Sequence, residues 1–216
     1  FLYTLNHQPT CVDELLEALA IDEESRHSEM LWYTAADGGP ALPLAHPSAQ
    51  LALSAKALKR SAAKQQVELL DVNTAVVYED RFNRIVDATR SKARCEWAFI
   101  GKHLDTIWRT YGRERPFVVI DQQGGRRGYL NMIQLLFPEA KITRAYEEGK
   151  RLARYHLAAG DRSMTVVFAV EADANHLPVA LASMTAKYVR EVLMERFNAY
   201  WCDQHPDIEP TRGYIP

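Results

Sequence analysis

At 216 residues, 47% apolar and 25% charged, the chain is long enough for one sizeable core or two small ones, and no run approaches the ~20 apolar residues of a membrane span. A formal charge of −2 excludes a strongly basic, non-specific nucleic-acid coat while leaving room for local basic patches. Cys11, Cys95 and Cys202 lie far apart without CxxC spacing, which fits a reducing cytoplasm better than a disulfide framework or a zinc site.

In chain order, Pro9 to Leu19 predicts a short helix. Thr10 is placed to cap it, Asp13 and Glu14 supply acids to the first turn, and Val12, Leu15, Leu16 and Leu19 fall at helical spacing. Ile21 to His46 loses that period, and Asp37-Gly38-Gly39-Pro40 marks a turn in a loop. Leu51 to Lys64 predicts a second helix with Lys56, Lys59, Arg60 and Lys64 crowded on one side. Such a face is more often solvated than bound to phosphate. Val67 to Tyr78 has the β-branched content of a strand, and a helix is expected from near Glu79. Apolar positions then recur at helical intervals to Arg109, with a break near Ser91 and a stop at Gly112.

Phe117 to Ile120 is a short apolar run that predicts a strand buried on both faces, with Asp121 at its C-terminal end. Open α/β sheets place working residues there. Gln122 to Arg127 reads Q-Q-G-G-R-R. Its glycines free the backbone and its arginines, Arg126 among them, suit phosphate contact, although the spacing is not that of a nucleotide P-loop. A short helix over Tyr129 to Phe137 ends at Pro138, strands follow at Lys141 to Tyr146 and Tyr155 to Leu157, and Gly160-Asp161 turns into a strand over Met164 to Val170. Beyond Glu171, Pro178 opens a long amphipathic helix that projects Ser183 and Lys187 from one face. The expected fold is α/β (α+β) with a helix-rich N-terminal half. Residues 1–66 read as a helical and loop region, the remnant of a larger truncated domain, and 67–216 as the α/β domain. The first residue is Phe, which prompts the expectation of a piece of a longer chain.

Asp121 and Asp173 both follow apolar strands. Carboxylates converging at adjacent strand ends can hold Mg²⁺ or Mn²⁺, because hard cations take oxygen ligands and fill remaining positions with water. Two such ions about 4 Å apart stabilise both the attacking water and the leaving oxygen at a phosphodiester. Two acids are fewer than the three or four such sites usually use. Glu171 competes with Asp173 for the ligand role, and His176 lies close enough in sequence to assist proton transfer, although a turn histidine usually has no such task.

From Asp173 onward, A-L-A-S-M-T-A-K-Y-V-R-E resembles the type 2 ribonuclease H motif, in which an acid after a strand precedes an A-A-S-x-x-A-K-x-x-R-D/E helix. Fourteen positions separate Asp173 from Lys187, as in that motif. F-V-V-I-D ending at Asp121 is similar to the family's second carboxylate strand, and P-T-R-G-Y, Pro210 to Tyr214, is similar to its K-G-Y segment. The resemblance covers roughly residues 115 to 216. It implies a ribonuclease H-like mixed sheet flanked by helices, and metal-dependent endonucleolytic cutting of RNA paired to DNA, or of single ribonucleotides embedded in a DNA duplex. It also implies Asp121 and Asp173 as catalytic metal ligands, Ser183 and Lys187 beside them, and Tyr214 on the substrate. The cofactor would be Mg²⁺ or Mn²⁺. The family's N-terminal Asp-Glu strand with its Gly-rich loop has no counterpart here, and Glu171-Ala172 stand where the family usually has Lys-Gly. Residues 1–216 alone are therefore expected to cut little or nothing. Two alternatives stand beside the hydrolase: a non-catalytic nucleic-acid-binding domain on the same scaffold, and an α/β interaction domain whose acids are structural.

Overall fold

The computed structural model describes residues 2–34, 39–124, 128–147 and 151–213. The expected turn at Asp37-Gly38, the Arg126 part of the Gly-rich loop and Tyr214 lie outside the described residues. In chain order the elements are α1 (Val12–Leu19), α2 (Glu23–Arg26), α3 (Ser48–Lys64), α4 (Glu79–Thr89), α5 (Lys92–Tyr111), β1 (Phe117–Asp121), α6 (Leu130–Leu136), β2 (Lys141–Glu147), β3 (Leu152–Ala159), β4 (Arg162–Ala169), α7 (Ala172–Asn175) and α8 (Leu177–Gln204). Short 3-10 turns sit at Leu2–Leu5, Leu31–Tyr33 and Gly112–Glu114. The protein is thus mixed α/β, with one four-stranded mixed sheet among the described residues. Its contacts divide it into two compact units, Phe1–Arg81 with Thr185–Pro216, and Phe82–Met184. The expected boundary at 66/67 falls inside the first of these.

The first unit is helical. Val12, Leu15, Leu16 and Leu19 form the stripe read from the sequence, and each is at most 2% exposed. They pack with Leu42, Val76 and Tyr78 and with Val189, Val192 and Leu193 of α8. Burying each such side chain stabilises by about 1.5–3 kcal/mol, enough to hold a helix of two turns that would not persist alone. The α1 cap differs from expectation. Cys11 occupies it without a side-chain bond, and Thr10, one residue earlier, donates its N–H and hydroxyl to the Glu14 carboxylate at 2.7 and 2.9 Å. The strand expected over Val67 to Tyr78 is also corrected. Only Thr74 pairs, through an isolated parallel bridge to Ala20. Its N–H donates to Leu19 O at 2.7 Å, and its carbonyl accepts from Ile21 at 2.9 Å. β-Branched residues favour an extended backbone, but a ladder also needs a partner strand, and the C-terminal end of α1 offers one rung.

In the second unit the sheet order is β1-β4-β3-β2, with β1 parallel to β4 and the other pairs antiparallel. Alternation along β4 sends Met164, Val166 and Phe168 to one face, against Leu104 and Trp108 of α5 and Ile133 of α6. Val167 and Ala169 point to the other face, against Ala172 and Val179. β4 is therefore the strand buried on both sides. β1, expected to be so, lies at the sheet edge, and its Phe117 is 57% exposed. The apolar run F-V-V-I reflects half-burial at an edge. α5 starts where the break near Ser91 was expected, since the Ser91 hydroxyl accepts from the Arg94 N–H at 3.3 Å. Gly112 ends α5 in a right-handed conformation, and the left-handed residue is Arg115 at φ 57°. The need for glycine there is space: a Cβ on Gly112 would sit 3.1–3.2 Å from the Arg162 side chain.

Pro178 stands in the first turn of α8, as expected. The single apolar stripe expected along that helix is not what it buries. Val179 belongs to the sheet unit's core, Val189, Val192 and Leu193 to the helical unit's, while Leu177 and Met184 are exposed.

Candidate functional site

Two parallel neighbours bring the candidate acids to one end of the sheet. Asp121 closes β1 in register with Ala169, the last residue of β4, and the pairing extends one rung as the Gln122 N–H donates to Ala169 O at 2.9 Å. Two residues past Ala169 the chain turns at Glu171, which holds a left-handed conformation (φ 54°, ψ 40°), and enters α7. A non-glycine residue there costs roughly 1 kcal/mol or more. Glu171 provides no side-chain cap for α7. The capping acceptor comes from the adjacent strand, because Asp121 Oδ1 accepts the Ala172 N–H at 3.0 Å.

That bond ties Asp121 to Ala172, the residue between Glu171 and Asp173. Ala172 between them is buried, whereas Asp121, Glu171 and Asp173 are exposed. Glu171 pairs with Arg151 at 3.2 Å, with both side chains more than 70% exposed, a geometry worth about 0–1 kcal/mol. Asp173 has no hydrogen bond or ion pair with a described residue. Among the described residues, no three His, Cys, Asp or Glu side chains converge as a ready-made metal group.

The loop after β1 is held from the core. The Tyr129 hydroxyl accepts the Gln123 N–H at 3.1 Å, Tyr155 Oη accepts the Tyr129 N–H at 3.0 Å, and the Gln123 amide donates to Glu96 at 2.6 Å. The Tyr129 ring stacks on Phe168 of β4 with centroids 3.6 Å apart and planes 5° from parallel. These residues position Asp121 although none of them stood out in the sequence. The only signal was phenols inside apolar runs, whose hydroxyls need partners once buried.

Ser183 lies half-buried on α8 within the sheet unit. Lys187 is exposed one helical turn further, in the segment assigned to the helical unit. Arg126 and Tyr214 lie outside the described residues. No protein-family model matches the chain, and no curated protein or solved structure matches it.

Proposed function

We propose that the protein is a metal-dependent endonuclease of ribonuclease H type, acting on the RNA strand of RNA–DNA hybrids or on embedded ribonucleotides. The observation that supports this reading is the Asp121 to Ala172 bond, which links the end of β1 to the residue between Glu171 and Asp173, just past the end of its parallel neighbour β4. Such strand ends are the usual working edge of α/β sheets. The donor set fits Mg²⁺ or Mn²⁺: every candidate ligand is a carboxylate oxygen, Asp121 keeps its Oδ2 beyond the bond to Ala172, and Mg²⁺ characteristically takes one or two carboxylates with water and substrate phosphate completing its shell. Asp121 and Asp173 would hold the ion, with Glu171 able to join them. When bound, it would stabilise the attacking water and the leaving 3′ oxygen. Ser183 would line the α8 side, and Arg126 would contact the substrate. The choice of RNA over DNA would rest on the 2′-hydroxyl, the group that distinguishes the two strands.

A second reading, a non-catalytic nucleic-acid-binding scaffold, has its own support. Asp121 already serves as the cap of α7 and Glu171 already pairs with Arg151. Cleavage of a duplex holding one ribonucleotide, with Mg²⁺ or Mn²⁺, separates the two. In the full-length protein Asp121→Asn and Asp173→Asn should each lower the rate by roughly 100-fold or more. Variants that cut as fast as the parent end the ligand assignment. A parent that binds the duplex and never cuts it favours the scaffold.

A further inference from the structure

We propose that the outer face of α3 docks on the phosphate backbone of a nucleic-acid duplex, an inference that rests on the nuclease reading for its choice of partner. α3 has 17 residues and no acid, and its four cations, Lys56, Lys59, Arg60 and Lys64, are all exposed. None of the four makes an ion pair or hydrogen bond with a described residue. By contrast, Arg26, Arg81, Arg109, Arg113, Arg151 and Arg196 each meet a carboxylate. At about 100° and 1.5 Å per residue, the α3 cations cover an arc of about 140° along ~12 Å of axis. Ala55, the buried residue of the helix, lies outside that arc.

On the arc of the cations Ala49, Ala52 and Ala63 are short, and the one long apolar side chain among them is the exposed Leu53. A duplex presents one charge per ~1.7 Å of its axis, so a row of cations about 12 Å long spans several phosphates. A bilayer surface is the poorer match. The exposed leucines, Leu53 and Leu58, lie about 140° apart around the helix and form no apolar face to enter lipid. The whole chain carries −2, so the attraction has to be local.

The test is the affinity of the full chain for RNA–DNA hybrid and for DNA duplex in EDTA, between about 50 and 200 mM salt. Replacing Lys56, Lys59, Arg60 and Lys64 together by Gln should flatten the slope of log K against log salt by roughly 2–4, at about 0.9 for each phosphate no longer neutralised. An unchanged urea midpoint shows that the variant folds. A control with the same change in net charge, Arg90, Lys92, Arg94 and Lys141 to Gln, should leave the slope near the parent's. Equal flattening in both variants, no flattening in either, or binding to phosphatidylserine vesicles without duplex binding would each overturn the proposal. Because metal is absent, the outcome is separable from that of the nuclease reading. A protein that never cuts but loses its salt slope in the α3 variant keeps this inference, and one that cuts with an unaltered slope keeps only the other.

Discussion

Asp121 has two oxygens and two separable tasks. Oδ1 accepts the Ala172 N–H that would otherwise be an orphan at the start of α7, a bond comparable to a helix cap. Asn keeps that acceptor, whereas Ala removes it. Asp121→Ala should therefore destabilise by about 1 kcal/mol while Asp121→Asn costs a few tenths, as read from urea midpoints. If activity falls equally in both, the charge matters to the chemistry beyond the cap. A second residue-scale prediction concerns alkaline pH. Burial pushes the Tyr78 phenol up to about 12, and burial together with the Glu79 charge raises its neighbour Tyr33 as well. A folded-state value above the unfolded one means that the protonated phenol stabilises the fold below about pH 10 and that this contribution fades as pH rises through about 12. The urea midpoint should decline over that window, with Tyr78 accounting for on the order of 2–3 kcal/mol, and Tyr78→Phe should shallow the decline. Both candidate aspartates were legible in the sequence, because an acid after an apolar run is a local pattern. The Tyr129, Tyr155 and Glu96 contacts that hold the loop after Asp121 were not, since they join residues 6 to 27 positions apart.

The elements whose signal is internal were legible in the sequence. α1, α5 and the β3–β4 hairpin each carry their own period or turn and formed around the expected residues, although α1 begins at Val12 and β3, Leu152–Ala159, extends beyond the expected Tyr155 to Leu157. Errors came where the outcome depends on a partner. Val67 to Tyr78 has strand composition and found one rung, and F-V-V-I has the look of a central strand but sits at an edge, because strand order is not written in any one strand. The β4 to α7 connection is another such case. Nothing about Glu171 announces a left-handed backbone, a conformation glycine adopts without strain. Glu171→Gly should raise stability by about 0.5–1 kcal/mol, since the exposed Arg151 pair it forfeits is worth little. A gain in unfolding midpoint joined to a loss of metal-dependent cutting would mark the glutamate as retained for function. A lower midpoint would show that the turn is not strained.

At the scale of the molecule, the helical unit is assembled from both ends of the chain while the sheet unit is one continuous segment. The helical core needs Val189, Val192 and Leu193, and the α1 acid Asp13 meets Arg196 at 2.7 Å, with that arginine side chain 4% exposed. Residues 1–81 expressed alone should therefore show no cooperative thermal transition, whereas residues 82–184, which hold two apolar clusters of their own, should show one by circular dichroism. A cooperative 1–81 fragment would contradict the division. The interrupted unit also sets an order of events during synthesis. The ribosome adds about 5–20 residues per second, so the greasy stripe of α1 waits on the order of ten seconds for its C-terminal half to emerge, while the inserted segment is already free to close. Nascent chains stalled far enough on for Met184 to have cleared the ribosomal exit tunnel should hence be protease-resistant in the middle and vulnerable at the beginning, the reverse of the usual front-to-back progression.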